Sequence, residues 1–182
     1  MLADAGNHLI RRLTSTEIRT YAGRTTAGDD DGKRMCARMY SPRRVRLDPT
    51  GTLYVLDVRE HVIAKVDQNG YMSVVAGSGE SGGRDGDALS AQFDEPVDVV
   101  WDSKGNMFIA DLSNELVRKL DTNGKVSTFA GSYRSLGKRD GVGTSAQFDS
   151  PYGLAIDKKD ALFVADTDNN RIRKIDPSAN VT

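Results

Sequence analysis

The chain has 182 residues, enough to bury a sizeable core, and carries 25 Lys and Arg against 26 Asp and Glu. The resulting net charge of −1 supplies no global field for nucleic acid or an anionic membrane and leaves room only for a local patch. One cysteine, Cys36, excludes an internal disulfide and favours a reducing, cytoplasmic compartment.

No apolar run approaches the ~18 residues of a membrane span, and the opening MLADAGNHLIRR has no apolar core of the signal-peptide type. Residues 1–4 read as the end of a strand, and residues 9–13 and 18–22 as two more. A second unit spans residues 42–77, with strands over 45–48, 53–57, 62–67 and 73–76. A third spans 96–131, and a fourth begins at Pro151 and runs to Thr182. Asn69-Gly70 and Asn123-Gly124 sit between apolar runs, and both residue types accept the positive φ of a tight hairpin. Several strands are apolar on both faces, as in Met107-Phe108-Ile109-Ala110, which predicts sheets packed between neighbouring sheets.

These units are copies of one pattern. Asp4, Asp57, Asp111 and Asp166 recur at intervals of 53, 54 and 55 residues. Pro42, Pro96 and Pro151 recur at 54 and 55, and Gly23, Gly77 and Gly131 at 54. A fixed period of this length with four short strands per copy predicts the blades of a β-propeller, all-β and antiparallel. The expected division is a partial blade 1–23, blades 42–77 and 96–131, and a partial blade 151–182. Three and a third copies fall short of the ~4 to 8 blades of a ring, so the expectation is part of a larger propeller or one closed by oligomerisation. The loops between copies, RDGDALSAQFDEP and RDGVGTSAQFDSP with the looser DDGKRMCARMYSP, predict self-packed connections plugged by Phe93, Phe148 and Met39.

The motifs Pro151-x-Gly153, Phe163-Val164-Ala165-Asp166 and Asn169-Asn170-Arg171-Ile172-Arg173-Lys174 resemble the NHL repeat, and the resemblance covers nearly the whole chain. Arg44 and Asp98 stand where that pattern carries the glycine matched by Gly153. The WD dipeptide Trp101-Asp102 occurs once and ends the wrong strand, and a single Gly-Gly pair does not support kelch blades. The resemblance implies a non-enzymatic interaction module that binds a protein through a propeller rim or channel mouth. It leaves RNA binding as an alternative and a metal-dependent lactonase or lyase as a second.

Residues that recur in every copy are read as structure. The recurring aspartates are expected to accept hydrogen bonds from turn backbone N–H groups. The basic third strands, with Arg11-Arg12, Lys65, Arg118-Lys119 and Arg173-Lys174, are expected to be solvated or ion-paired edges. Two histidines, His8 and His61, cannot make a three-histidine metal site, and Asp166-x-Asp168-x-Asn170 lacks the Gly and Glu of a calcium loop. No metal or cofactor is therefore expected. A site should break the repeat, and residues 33–46, KRMCARMYSPRRVR, do so. The binding candidates are Arg34, Arg38, Arg43, Arg44 and Arg46 together with Asp98, arranged for a carboxylate or phosphate. The competing expectation is that these arginines pair with Asp94, Glu95 or Asp98.

Overall fold

The structure is a computed structural model and describes residues 1–28, 31–33, 37–67 and 69–182. Its strands in chain order are β1 (Leu2–Asp4), β2 (Leu9–Leu13) and β3 (Ile18–Gly23), which form the first sheet. After the short β4 (Gly32–Lys33) come β5 (Pro42–Leu47), β6 (Leu53–Asp57), β7 (Val62–Val66) and β8 (Tyr71–Ala76). The third set is β9 (Gly86–Asp87), β10 (Pro96–Trp101), β11 (Met107–Asp111), β12 (Leu116–Leu120) and β13 (Lys125–Ala130). The last is β14 (Gly141–Val142), β15 (Pro151–Ile156), β16 (Leu162–Asp166), β17 (Arg171–Ile175) and β18 (Asn180–Val181). Each sheet is an antiparallel meander, so the four sheets are four blades, I to IV, in chain order.

The long connections contribute more than packing. Each returns a two-residue strand to the outer edge of the following blade, so blades II to IV have five strands. Gly32, Gly86 and Gly141 pair with Met72, Val126 and Val181. The added strand covers backbone groups that an edge would leave open. Among the described residues of these connections there is no α-helix, and Gly143–Ser145 forms a 3₁₀ turn. Phe93 and Phe148 are fully buried and Met39 nearly so, which fits their expected role as plugs.

Three cores lie between successive blades. Ile10, Val55 and Ala64 join blades I and II, Leu56, Ile63 and Ile109 join II and III, and Ala110, Val117 and Val164 join III and IV. The period of two along each strand produces this: Val55 and Leu56 are adjacent in sequence yet serve opposite interfaces. At the second hairpin of each blade, His8, His61, Glu115 and Asn170 share one left-handed backbone position with φ of 60°, 54°, 61° and 55°. His61 Nδ1 accepts from the Glu95 N–H at 3.2 Å, and Glu115 Oε2 from the Ser150 N–H at 2.7 Å. This turn residue therefore fastens its blade to the next, and the histidine at this position acts structurally.

Candidate functional site

The first strands β5, β10 and β15 lie next to one another, with β10 between the other two. They keep the same irregularity, a register shift just after Pro42, Pro96 and Pro151. Arg44 and Asp98, in place of the glycine, do not disturb it. A β-carbon added at Gly153 would meet only the Ala165 Cβ, at 3.6 Å, so space does not demand glycine there.

Asp98 is 1% exposed and lies at the centre of a polar cluster spanning three blades. Arg46 of blade II reaches it bidentately, Nε to Oδ1 and Nη2 to Oδ2, both at 2.9 Å. Arg44 approaches the same carboxylate at 3.4 Å. The Leu154 N–H of blade IV donates to Oδ2 at 3.1 Å, and the Val99 N–H to Oδ1 at 3.0 Å. The hydrogen bond from Arg46 to Asp98, opposed by partial burial, raises the guanidinium pKa further. The two arginines remain 34% and 38% exposed at the side chain. They line a concavity of about 300 Å³ with Gly153, Phe163 and Ile172.

The sequence candidates therefore part company. Arg44, Arg46 and Asp98 come together, as ion partners first. Arg43 is exposed on the same strand, one residue from Arg44. Arg38 lies elsewhere, in the wall of a separate cavity beside blade II. Arg34, Cys36 and the pair Asp29-Asp30 lie outside the described residues. Asp94 pairs with Arg134 at 3.1 Å and stands 3.6 Å from His61.

Of the solvated or ion-paired edges expected for the third strands, two residues are ion-paired but buried rather than at an edge. Arg118 is 0% and Arg173 2% exposed. Arg118 donates to Asp111 at 2.7 Å, to Asp85 at 2.6 Å and to the carbonyls of Gln92, Gly83 and Arg84. Its guanidinium lies 5.4 Å from the Phe93 ring centre. Arg173 repeats this with Asp166, Asp140, the Gln147 and Arg139 carbonyls and the Phe148 ring. Lys119 and Lys174, one residue on, point the other way and are more exposed.

The recurring aspartates reach beyond the turn in which they were expected to act, although Asp57 does accept from the turn N–H groups of Arg59 and Glu60. Asp111 and Asp166 each accept, at 2.7 Å, from the backbone N–H of a residue 17 positions earlier, Asp94 and Asp149, where the loop enters the first strand. Their second oxygens hold Asn114 and Asn169 as well as the buried arginine. Burial pushes the Asp111 carboxyl up to about 6, against the opposing pull of Arg118 and Asn114. The signal for this Asp–Asn–Arg set was in the sequence: Asn at three and Arg at seven positions after Asp, in three of the four copies.

Among the described residues, no three His, Cys, Asp or Glu side chains converge to hold a metal ion. No helix among them is long and apolar enough to cross a membrane.

Four meandering sheets arranged radially, each locked to the next by its connecting loop, define a β-propeller segment. Residues 148–175 match the model of the NHL repeat. Human NHL repeat-containing protein 2 is 29% identical over 140 residues, 71% of this chain and 19% of that protein. A solved structural genomics protein of unknown function from Bacteroides thetaiotaomicron superposes with a TM-score of 0.78 at 24% identity, over 97% of this chain and 43% of its own. Virginiamycin B lyase from Staphylococcus aureus has a TM-score of 0.62 at 13% identity, over 100% of this chain and 53% of its own, a likeness of fold alone. Residues 148–175 thus carry an NHL repeat within a β-propeller fold, and the chain spans about a fifth of the human relative's length.

Proposed function

We propose that the chain is a non-enzymatic interaction module whose concave face receives an acidic group of a protein partner. One observation carries this reading. Arg44 and Arg46 project from a first strand, share one buried carboxylate and keep more than a third of each side chain in water. Two guanidinia thus face one carboxylate, a local positive excess within a chain of net charge −1. Asp98 fixes the orientation of the two forks, and preorganised guanidinia recognise carboxylate or phosphate with less ordering cost. An enzymatic role has less support, because the one inward carboxylate of the described first strands is held by arginines.

The test is fluorescence anisotropy with a labelled poly-glutamate peptide and, separately, a labelled single-stranded RNA. The peptide should bind saturably and weaken as salt rises from about 50 to about 200 mM. Arg46→Gln should weaken binding severalfold, since it removes one of the two forks that Asp98 holds in place. Tighter binding of RNA than of peptide would shift the reading to nucleic acid. Absence of binding by either probe at low salt would refute it.

A further inference from the structure

Blade II lacks the buried arginine that blades III and IV share. Strand register makes the comparison direct: Arg118 pairs with Ile109, Arg173 with Val164, and Ala64 with Val55. The rest of the arginine's nest is kept in altered form. Asp57 stands for Asp111, Asp31 for Asp85, Glu60 for Asn114, and Met39 for Phe93. Where the arginine side chain would lie there is a cavity of about 270 Å³, walled by these four residues together with Ala64 and Arg38. Val55, Val62, Met72 and Val74 supply an apolar flank of the kind an alkyl stem packs against.

We infer that this cavity is a receptor for an alkyl guanidinium, the end of an arginine side chain or a free molecule of the same chemistry. The same chain shows twice, in blades III and IV, what this nest holds when a guanidinium is present. The charge balance points the same way. Blade II sets three carboxylates, Asp31, Asp57 and Glu60, against the one guanidinium of Arg38, where blades III and IV set two against one. Asp31, Glu60 and Arg38 already engage partners within the chain, so a guest would enter the cavity volume and share these groups with them. Asp57 is 4% exposed, and its oxygens accept from the Tyr40 and Ser41 N–H groups at 2.6 and 2.7 Å. A carboxylate has about four lone-pair sites, and the backbone N–H groups of Tyr40, Ser41, Arg59 and Glu60 address them, so a guest guanidinium would meet Asp57 as a charge and take its hydrogen bonds from Asp31 and Glu60. Burial pushes this carboxyl up, and the groups that pull it back are backbone N–H groups, whereas Asp111 has Arg118. A divalent metal is the wrong size of guest, because these carboxylates do not converge on one point. This site is distinct from the Arg44–Arg46 cluster and does not depend on the reading of that cluster.

The experiment uses agmatine, an acetylated and amidated Gly-Arg-Gly peptide, and the Gly-Lys-Gly peptide as comparator, titrated calorimetrically into the protein. Agmatine or the arginine peptide should bind saturably and at least about tenfold more tightly than the lysine peptide, because a planar fork matches the nest. Binding of agmatine alone identifies a small-molecule site, and binding of the peptide identifies a protein-partner site. Ala64→Arg, which restores the repeat, should abolish binding and raise the melting temperature. Ala64→Leu fills the same volume without charge and should also abolish binding, so the test survives if one variant fails to fold. Arg38→Gln, the residue of blades III and IV, should tighten binding severalfold by removing the competing cation. No saturable binding of either guanidinium, or binding unchanged in the folded Ala64 variants, would overturn the inference.

Discussion

Arg118→Met tests the idea that a buried arginine fastens each loop to its blade. Methionine keeps the unbranched stem and removes the guanidinium. Asp111, itself 0% exposed at the side chain, then loses its cationic partner at 2.7 Å, and Asp85 loses its own at 2.6 Å. Asp85 is half exposed and can rehydrate. Asp111 cannot, and breaking a buried pair costs about 3–5 kcal/mol through the charge left behind. A domain stable by about 5–15 kcal/mol would then be close to its threshold.

The loss should also depend on pH. The folded carboxyl of Asp111 titrates at about 6 against an ordinary value of 3.8. Its contribution is therefore fully present below 3.8 and is lost as pH rises through about 6. Without Arg118 the folded value rises further, so the variant goes on losing stability after the parent has stopped. Its deficit should be larger at pH about 8 than at pH about 5. Urea unfolding followed by Trp101, which packs at a tilt against Tyr54 across the blade II–III interface with ring centres 4.9 Å apart, reads both quantities. Adding Asp111→Asn should recover part of the loss, because the remaining oxygen can accept from Asp94. A deficit below about 1 kcal/mol, typical of an exposed pair, or one equal at both pH values would refute the reasoning.

Two further outcomes follow from the blade geometry. Gly131 sits at φ 100°, and an added β-carbon would lie 2.4 Å from the Glu115 carbonyl oxygen. Gly131→Ala should therefore lower the melting temperature well beyond Gly124→Ala, at φ 78° with open space; equal losses would contradict this. On blade IV, Ile172 is 69% exposed, whereas its counterpart Val117 is fully buried against the neighbouring blade. We expect the protein to self-associate through that face, with Ile172→Asp lowering the mass measured by analytical ultracentrifugation; one mass at all concentrations would argue against it.

The repeat, the strand positions, the hairpin turns and the Phe93 and Phe148 plugs were legible in the sequence. Each is set by local chemistry: backbone preference at Asn-Gly, alternation along a strand, and a period that needs no partner to be seen. The fate of the charges was decided by tertiary structure. Arg118 and Lys119 are adjacent and equally basic, and the loop closing over one face buries the first and leaves the second wetter. Arg46 and Asp98 are 52 residues apart, and blade packing brings them into contact. The replacement of arginine by Ala64 can be read from the period, but its consequence, a cavity walled by Asp57, Asp31 and Glu60, appears only when residues distant in sequence are folded around the vacated volume. Coulombic and packing energies depend on through-space distance and burial, which the order of residues along a strand does not specify.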